Sequence, residues 1–144
     1  MDAAIAHLRE LEKSDAPTPL PTEQQVDAIA LAAGITFPHD FRRYLLEASN
    51  IEYGTKEPVR IDDSYHLNFE RVLAVAREIG VPDNLLPICE DNGDFYCVDT
   101  SSEAVMFYDH NGCYMGPESE SWSNVAAWIE EVWIGEYQDM EDDE

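Results

Sequence analysis

Apolar positions along this chain change period twice, and those changes divide it into regions. Near the start Ile5, Leu8 and Leu11 recur at helical spacing and predict a short first helix. The stretch "APTPLP" at 16–21 stops it and reads as a stiff connector. Thr22 and Gln25 then form a capping-box pair, in which each side chain can satisfy an orphan amide at a helix start. Val26, Ile29, Ala30 and Ala33 mark that helix's inner stripe, and Gly34 is placed to end it. A third helix opens at "PHDF", with Phe41, Tyr44, Leu45 and Ala48 inward and Arg42 and Arg43 toward water. Asn68 caps a fourth, with Phe69, Val72, Leu73, Ala76 and Ile79 on one face.

Between the third and fourth helices, "VRI" at 59–61 predicts a short strand and "YHL" at 65–67 a second. After the fourth, the pattern predicts strands at 85–90, 94–99 and 104–109, with "CYM" after the turn "HNG" as a further candidate. The period then returns to that of a helix. Val125, Trp128, Ile129, Val132 and Trp133 fall at i, i+3, i+4, i+7 and i+8, with Glu130 and Glu131 off the stripe. Asn92-Gly93 lies between two apolar runs, and this pair supplies positive φ at both central positions of a type I′ hairpin turn. The register that follows sets Asp91 opposite Asp94, Glu90 opposite Phe95, Cys89 opposite Tyr96 and Ile88 opposite Cys97. Cys89 and Cys97 therefore point to opposite faces of the sheet.

Charge changes the picture more than composition does. The 144 residues are 44% hydrophobic, an ordinary globular proportion, yet the net charge is −23. All eight Lys and Arg residues lie between Arg9 and Arg77, and none follows Glu78. A folded half rich in acids and without bases presents a negative field, which disfavours nucleic acid and anionic membranes and favours a basic partner. The acids from Glu136 onward read as a disordered tail. Three cysteines, an acid near the start and no apolar run of about 18 residues suggest a cytoplasmic protein rather than a secreted or membrane one.

Candidate chemistry is sparse. Cys97, His110 and Cys113 could be drawn into a zinc site, but neither paired C-x2-C nor H-x3-5-H spacing is present. "EDNGD" lacks the alternating ligands and distant Glu of a calcium loop, and it reads as a turn. There is no G-x-S-x-G, Walker loop, G-x-G-x-x-G or H-E-x-x-H. His7, His39 and His66 stand alone. His110, beside Asp109 at a sheet edge, is the best general-base candidate, without an evident nucleophile or electrophilic helper.

"LPTEQQVDAIALAAGITFPHDFRRYLLEASN" resembles the opening of the SUKH superfamily, the Smi/Knr-type domains. The matching positions are Gly34, Ile35, Phe37, Pro38, Phe41, Leu45, Leu46 and Asn50. "LLPICEDNGDFYCVDT" is similar to the family's central hairpin, through Leu86, Pro87, Ile88, Gly93, Tyr96 and Asp99. "AVMFYDH" and "WSNVAAWIEEV" resemble its next strand and closing helix. The similarity spans about residues 20–134, with one departure: "SNIEYG" stands where the family usually has Gly-Gly after the Asn. It implies a non-catalytic binding domain. In bacteria that is mostly an immunity protein that neutralises a polymorphic toxin, and in fungi a cell-wall regulator with many protein partners.

The expected fold is α+β, an antiparallel-dominated sheet with helices packed against it. The expected organisation is a first helix over 1–15, the connector at 16–21, one domain over 22–136 and an acidic tail over 137–144. No cofactor or metal is expected. The expected partner is a cognate toxin domain or other basic protein, with a regulatory scaffold unconnected to toxins as the rival reading. Contact is placed on the turn end of the sheet, at Glu90, Asp91, Asp94, Asp109, His110, Glu118 and Glu120, with Tyr53, Tyr114 and Trp122 as aromatic anchors. Trp128 and Trp133 are assigned to the core.

Overall fold

The structure is a computed structural model that describes residues 1–12, 18–109 and 121–142, with side chains through Met140. It is an α+β fold. The early helices are α1 (Asp2–Leu11), α2 (Glu23–Ala33), α3 (His39–Glu47) and α4 (Phe69–Glu78). Then come β1 (Leu85–Asp91), β2 (Asp94–Asp99), β3 (Val105–Tyr108) and β4 (Ser121–Trp122). The closing helix is α5 (Val125–Trp128), a π-helical segment (Ile129–Ile134) and α6 (Gly135–Asp142). Among the described residues the sheet is four-stranded, ordered β1-β2-β3-β4 and antiparallel throughout.

Local chemistry sets most of the boundaries. Thr22 Oγ1 accepts from the Gln25 amide at 3.1 Å, and the Gln25 side chain accepts from the Thr22 amide at 2.9 Å, so the capping box at α2 is complete. Gly34 ends that helix with φ +69°, a left-handed conformation that glycine adopts without the steric penalty of a Cβ. Asn68 Oδ1 accepts from the Arg71 amide to start α4, and Asn124 Oδ1 accepts from the Ala127 amide to start α5. Of the stripe read for α2, Val26 is buried, Ile29 and Ala30 are half-buried and Ala33 is exposed, so this helix rides on the domain's outside.

The hairpin closes at Asn92 and Gly93, with φ 55° and 91°. Its register runs Asp91 to Asp94, Glu90 to Phe95 and Cys89 to Tyr96, and then shifts between Pro87 and Cys89. Pro87, and not Ile88, stands opposite Cys97. Proline has no N–H to give the ladder, and the bulge turns the Ile88 carbonyl outward, where the Val59 amide donates to it at 2.8 Å. "VRI" is thus no independent strand: Pro58 bridges Cys89 at the open edge of β1, and Arg60 bridges Asn68 at the start of α4. "YHL" forms turns leading into α4. Asp99 has a structural role: its Oδ1 accepts from the Ser101 amide at 2.8 Å and the Ser101 hydroxyl at 2.7 Å, organising the turn into β3. These hydrogen bonds hold its carboxyl below the usual carboxylate range.

Residues 95–98 of β2 are all buried, so both faces of the sheet are covered. On one face Tyr96 meets Trp128 of the closing helix, ring centroids 5.4 Å apart. Phe95, on the other, lies against α4. The closing stripe read from sequence is buried at all five positions, and Trp133 reaches Tyr44 of α3 at 6.1 Å. Contrary to the expected disordered tail, helix continues to Asp142, with the half-buried Tyr137 packed on the core. "CYM" lies outside the described residues.

Gly135 sits where the π-helical segment hands over to α6, its amide donating to the carbonyl of Glu130. A Cβ there would stand 2.9 Å from that same carbonyl oxygen. Gly135→Ala should therefore destabilise the domain by roughly 1–3 kcal/mol, lowering Tm by roughly 4 °C or more in a calorimetric scan. An unchanged Tm would mean that the segment rewinds without cost.

Candidate interaction surface

Eight basic residues cannot balance this chain's acids, and the structure shows where those it describes are used. Arg9 pairs with Glu12 and also donates to the Glu47 carbonyl and Asn50. Arg42 meets Glu23 and Asp27, while Arg43 bridges Asp2 and Glu47. Arg60 stacks on Tyr65 at 4.2 Å and faces Glu52 at 3.7 Å. Arg77 donates to the carbonyls of Val81, Pro82 and Leu85 and lies 3.5 Å from Asp83. Among the described residues, Arg71 is the one Lys or Arg whose side chain has no acidic partner. The remaining acids project a negative field.

Lys56 is the cation that shapes the turn end of the sheet. Its side chain is 12% exposed, and Nζ lies 3.3 Å from Asp91 and 3.7 Å from Glu136. It also lies 5.8 Å from the centre of the Tyr96 ring. One ammonium thus joins the 51–58 loop, the hairpin and α6. Asp91 is accordingly tied down. Glu90 is half-buried, and its carboxylate accepts from the Gly93 amide at 2.7 Å, which tightens the turn. Asp94 and Asp109 are half-buried and engaged within the protein.

The expected aromatic anchors take different places. Tyr53 is 6% exposed, its ring edge-on to Tyr137 at 5.2 Å and its carbonyl accepting from the Trp133 indole at 2.9 Å. Trp122 is half-buried in β4, its ring 5.7 Å from Tyr96. His110, Tyr114, Glu118 and Glu120 lie outside the described residues. The hairpin acids share one end of the sheet with Lys56 and α6, whereas Trp122 lies on the far edge strand.

Cys89 and Cys97 are both buried and free, and pairing Cys89 with Tyr96 leaves them on opposite faces. Burial pushes each thiol up to about 12, so neither is a thiolate near neutral pH. No group of three metal-binding side chains occurs among the described residues. Of the histidines described, each has a carboxylate neighbour: His7 with Glu130 at 2.7 Å, His39 with Asp40 at 3.1 Å and His66 with Glu57 at 3.4 Å. These are imidazole–carboxylate contacts at the surface.

Among the described residues, three of the surface clefts are sizeable. One of about 620 Å³ runs between the connector and residues 61–64. A second of about 320 Å³ lies beneath the 51–58 loop. The third, of about 460 Å³, is an apolar groove between α4 and the hairpin, lined by Leu67, Val72, Val75, Ile79 and Phe95. The sequence carried a sign of this groove: Val75 is apolar but lies off the inner stripe of α4, and it is 44% exposed.

An antiparallel sheet buried on both faces, with acids gathered at its hairpin end, defines an α+β domain whose distinctive feature is its surface. The comparisons agree on the class. Residues 1–134 match the family described as SMI1-KNR4 cell-wall (SUKH_5), and the chain belongs to that family. It is also similar to a solved structure described as a protein from Pseudomonas syringae pv. tomato. The two are 34% identical, with a TM-score of 0.82, over 92% of this chain and 98% of that one. No curated protein matches the chain. No helix among the described residues is long and apolar enough to cross a membrane.

Two outcomes follow. Cys89 and Cys97 should resist alkylation in the native protein and react once it is unfolded, as read by mass spectrometry of labelled peptides. Native labelling would place one of them at the surface. Gly54, at φ +65°, stands where a Cβ would lie 3.0 Å from Cγ of Tyr137. Gly54→Ala should cost roughly 1–3 kcal/mol, part of it recovered when combined with Tyr137→Ala, because one clash would then be absent. Strict additivity in denaturant melts would show that the two residues do not meet.

Proposed function

We propose that this protein is a non-catalytic immunity protein of the cytoplasm, which binds and neutralises a cognate toxin domain of basic character through its acidic surface. Membership of the SMI1-KNR4 family supports a binding domain. The observation that carries the reading is the charge layout: every Lys and Arg precedes Glu78, so the sheet and closing helix, apart from acids such as Asp91 and Glu136 that hold Lys56, keep theirs as an outward field. Such a field raises the encounter rate with a basic surface by about 10 to 1,000-fold and repels other polyanions. A nuclease-type toxin, which must itself attract nucleic acid, is the natural complement. The rival reading is a regulatory scaffold of the same family that serves cellular partners.

The partner to test first is the product of the adjacent reading frame, since an immunity gene accompanies its toxin gene. Association should slow with salt, because charges across an open rim are screened beyond about 8–10 Å at 0.1–0.15 M. Asp91 holds Lys56, so the informative variants are Glu90→Gln and Asp94→Asn, which remove charge while keeping hydrogen-bonding capacity. Each should reduce the association rate about twofold to tenfold at low salt and leave Tm nearly unchanged. Salt-independent association with unaltered rates in both variants would exclude the electrostatic mechanism. A neighbour that is no toxin, yet binds, would favour the scaffold.

A further inference from the structure

We infer that the apolar groove between α4 and the hairpin receives an amphipathic, lysine- or arginine-rich segment of the partner, with its apolar side chains seated against Val75, Ile79 and Phe95. This rests on the proposed binding of a basic partner and says where its apolar anchor goes. The groove's lining is almost wholly carbon, and among the described residues Val75 is one of few large apolar side chains left open to water. A polyanionic surface alone gives attraction with little residence. Apolar burial beside the acids is what slows dissociation.

Charge selects the occupant. Glu90 lines the groove on its hairpin side, and the exposed Glu70 and Glu78 stand at the two ends of α4. A second copy of this chain, also at net charge −23, would bring like charge to like. A basic segment gains at Glu90, the acid that lines the groove itself. Arg71, which has no acidic partner among the described residues, lies on the helix side of the same groove. It opposes a uniformly basic ligand there and therefore orients the segment, with its lysines toward Glu90. The wall from Arg71 to Ile79 is about 12 Å long at about 1.5 Å per residue, room for roughly two turns of a docked helix.

Binding is measured by fluorescence anisotropy and by amide chemical-shift mapping with three helical peptides. The first has leucines at i, i+3, i+4 and i+7 with lysines elsewhere. The second replaces those leucines by serine, and the third replaces the lysines by glutamate. The lysine–leucine peptide should bind most tightly and shift amides of α4 and of the hairpin. Val75→Gln, at a half-open position, should weaken it on the order of fivefold and leave the lysine–serine peptide unaffected. Arg71→Gln should strengthen it about twofold to threefold. Equal binding of the two lysine peptides would overturn the groove while leaving the acidic surface intact. Failure of both lysine peptides to bind at low salt would overturn the acidic-surface reading as well. Preference for the glutamate–leucine peptide, or shifts confined to other elements, would overturn the assignment of the occupant.

Discussion

Burial of two indoles on one face of the closing helix is the constraint on which the rest of this fold depends. Trp128 and Trp133 are both essentially inaccessible, and each touches a different layer. Trp128 packs against Tyr96 of the sheet, Trp133 against Tyr44 of α3, and the two rings lie 6.3 Å apart. Each aromatic side chain of this kind buries about 150–250 Å², so the pair accounts for a large part of the apolar drive that holds helices to sheet. The Trp133 N–H also donates to the Tyr53 carbonyl, so the same residue fixes the loop after α3. The Trp128 N–H has no acceptor among the described residues, which makes this ring's contribution one of packing.

That loop is where packing becomes surface. Residues 51–58 cover the edge of β1, place Gly54 beneath Tyr137 and deliver Lys56 to Asp91 and Glu136. A nearly buried lysine between two carboxylates is a costly group unless both partners stay in reach, so the loop, hairpin and α6 hold one another in place. "SNIEYG" opens this loop, and its Tyr53 and Gly54 lie against Tyr137 of α6. The acidic end of the sheet is thus pre-organised rather than loose, which lowers the ordering cost of any partner's binding.

What could be read from sequence was what neighbours in sequence decide. The capping box at Thr22 and Gln25, the end of α2 at Gly34, the turn at Asn92-Gly93 and the stripe from Val125 to Trp133 each depend on residues within about two turns of one another. What escaped depends on distant partners. The register shift at Ile88 answers an amide at Val59, and the order of α6 answers a glycine at position 54. The acid count after Glu136 pointed to disorder because charge is visible in sequence while the docking of Tyr137 is not. The gathering of Glu90, Asp91 and Asp94 at the hairpin end was legible, because all three flank the Asn92-Gly93 turn. The burial of Tyr53 was not legible, since its ring is covered by Tyr137 from a distant part of the chain, nor was the exposure of Val75, which depends on the gap between α4 and β2.

The π-helical segment has a further meaning as a setting of helical phase. Between Ile129 and Ile134 the backbone closes wider rings than an α-helix does, so less rotation accrues for each residue. Everything after it is turned relative to Trp128 and Trp133 by an amount that a plain α-helix would not give. One residue of α-helix corresponds to about 100°. Rewinding 129–134 as plain α-helix with no residue removed would therefore swing Tyr137 away from Gly54, and Glu136 away from Lys56, by about that angle, without touching either loop or hairpin. The width of that one coil decides which side of the terminal helix meets the rest of the protein, and so gives an evolving lineage a means to re-aim its acidic end while the core stays as it is.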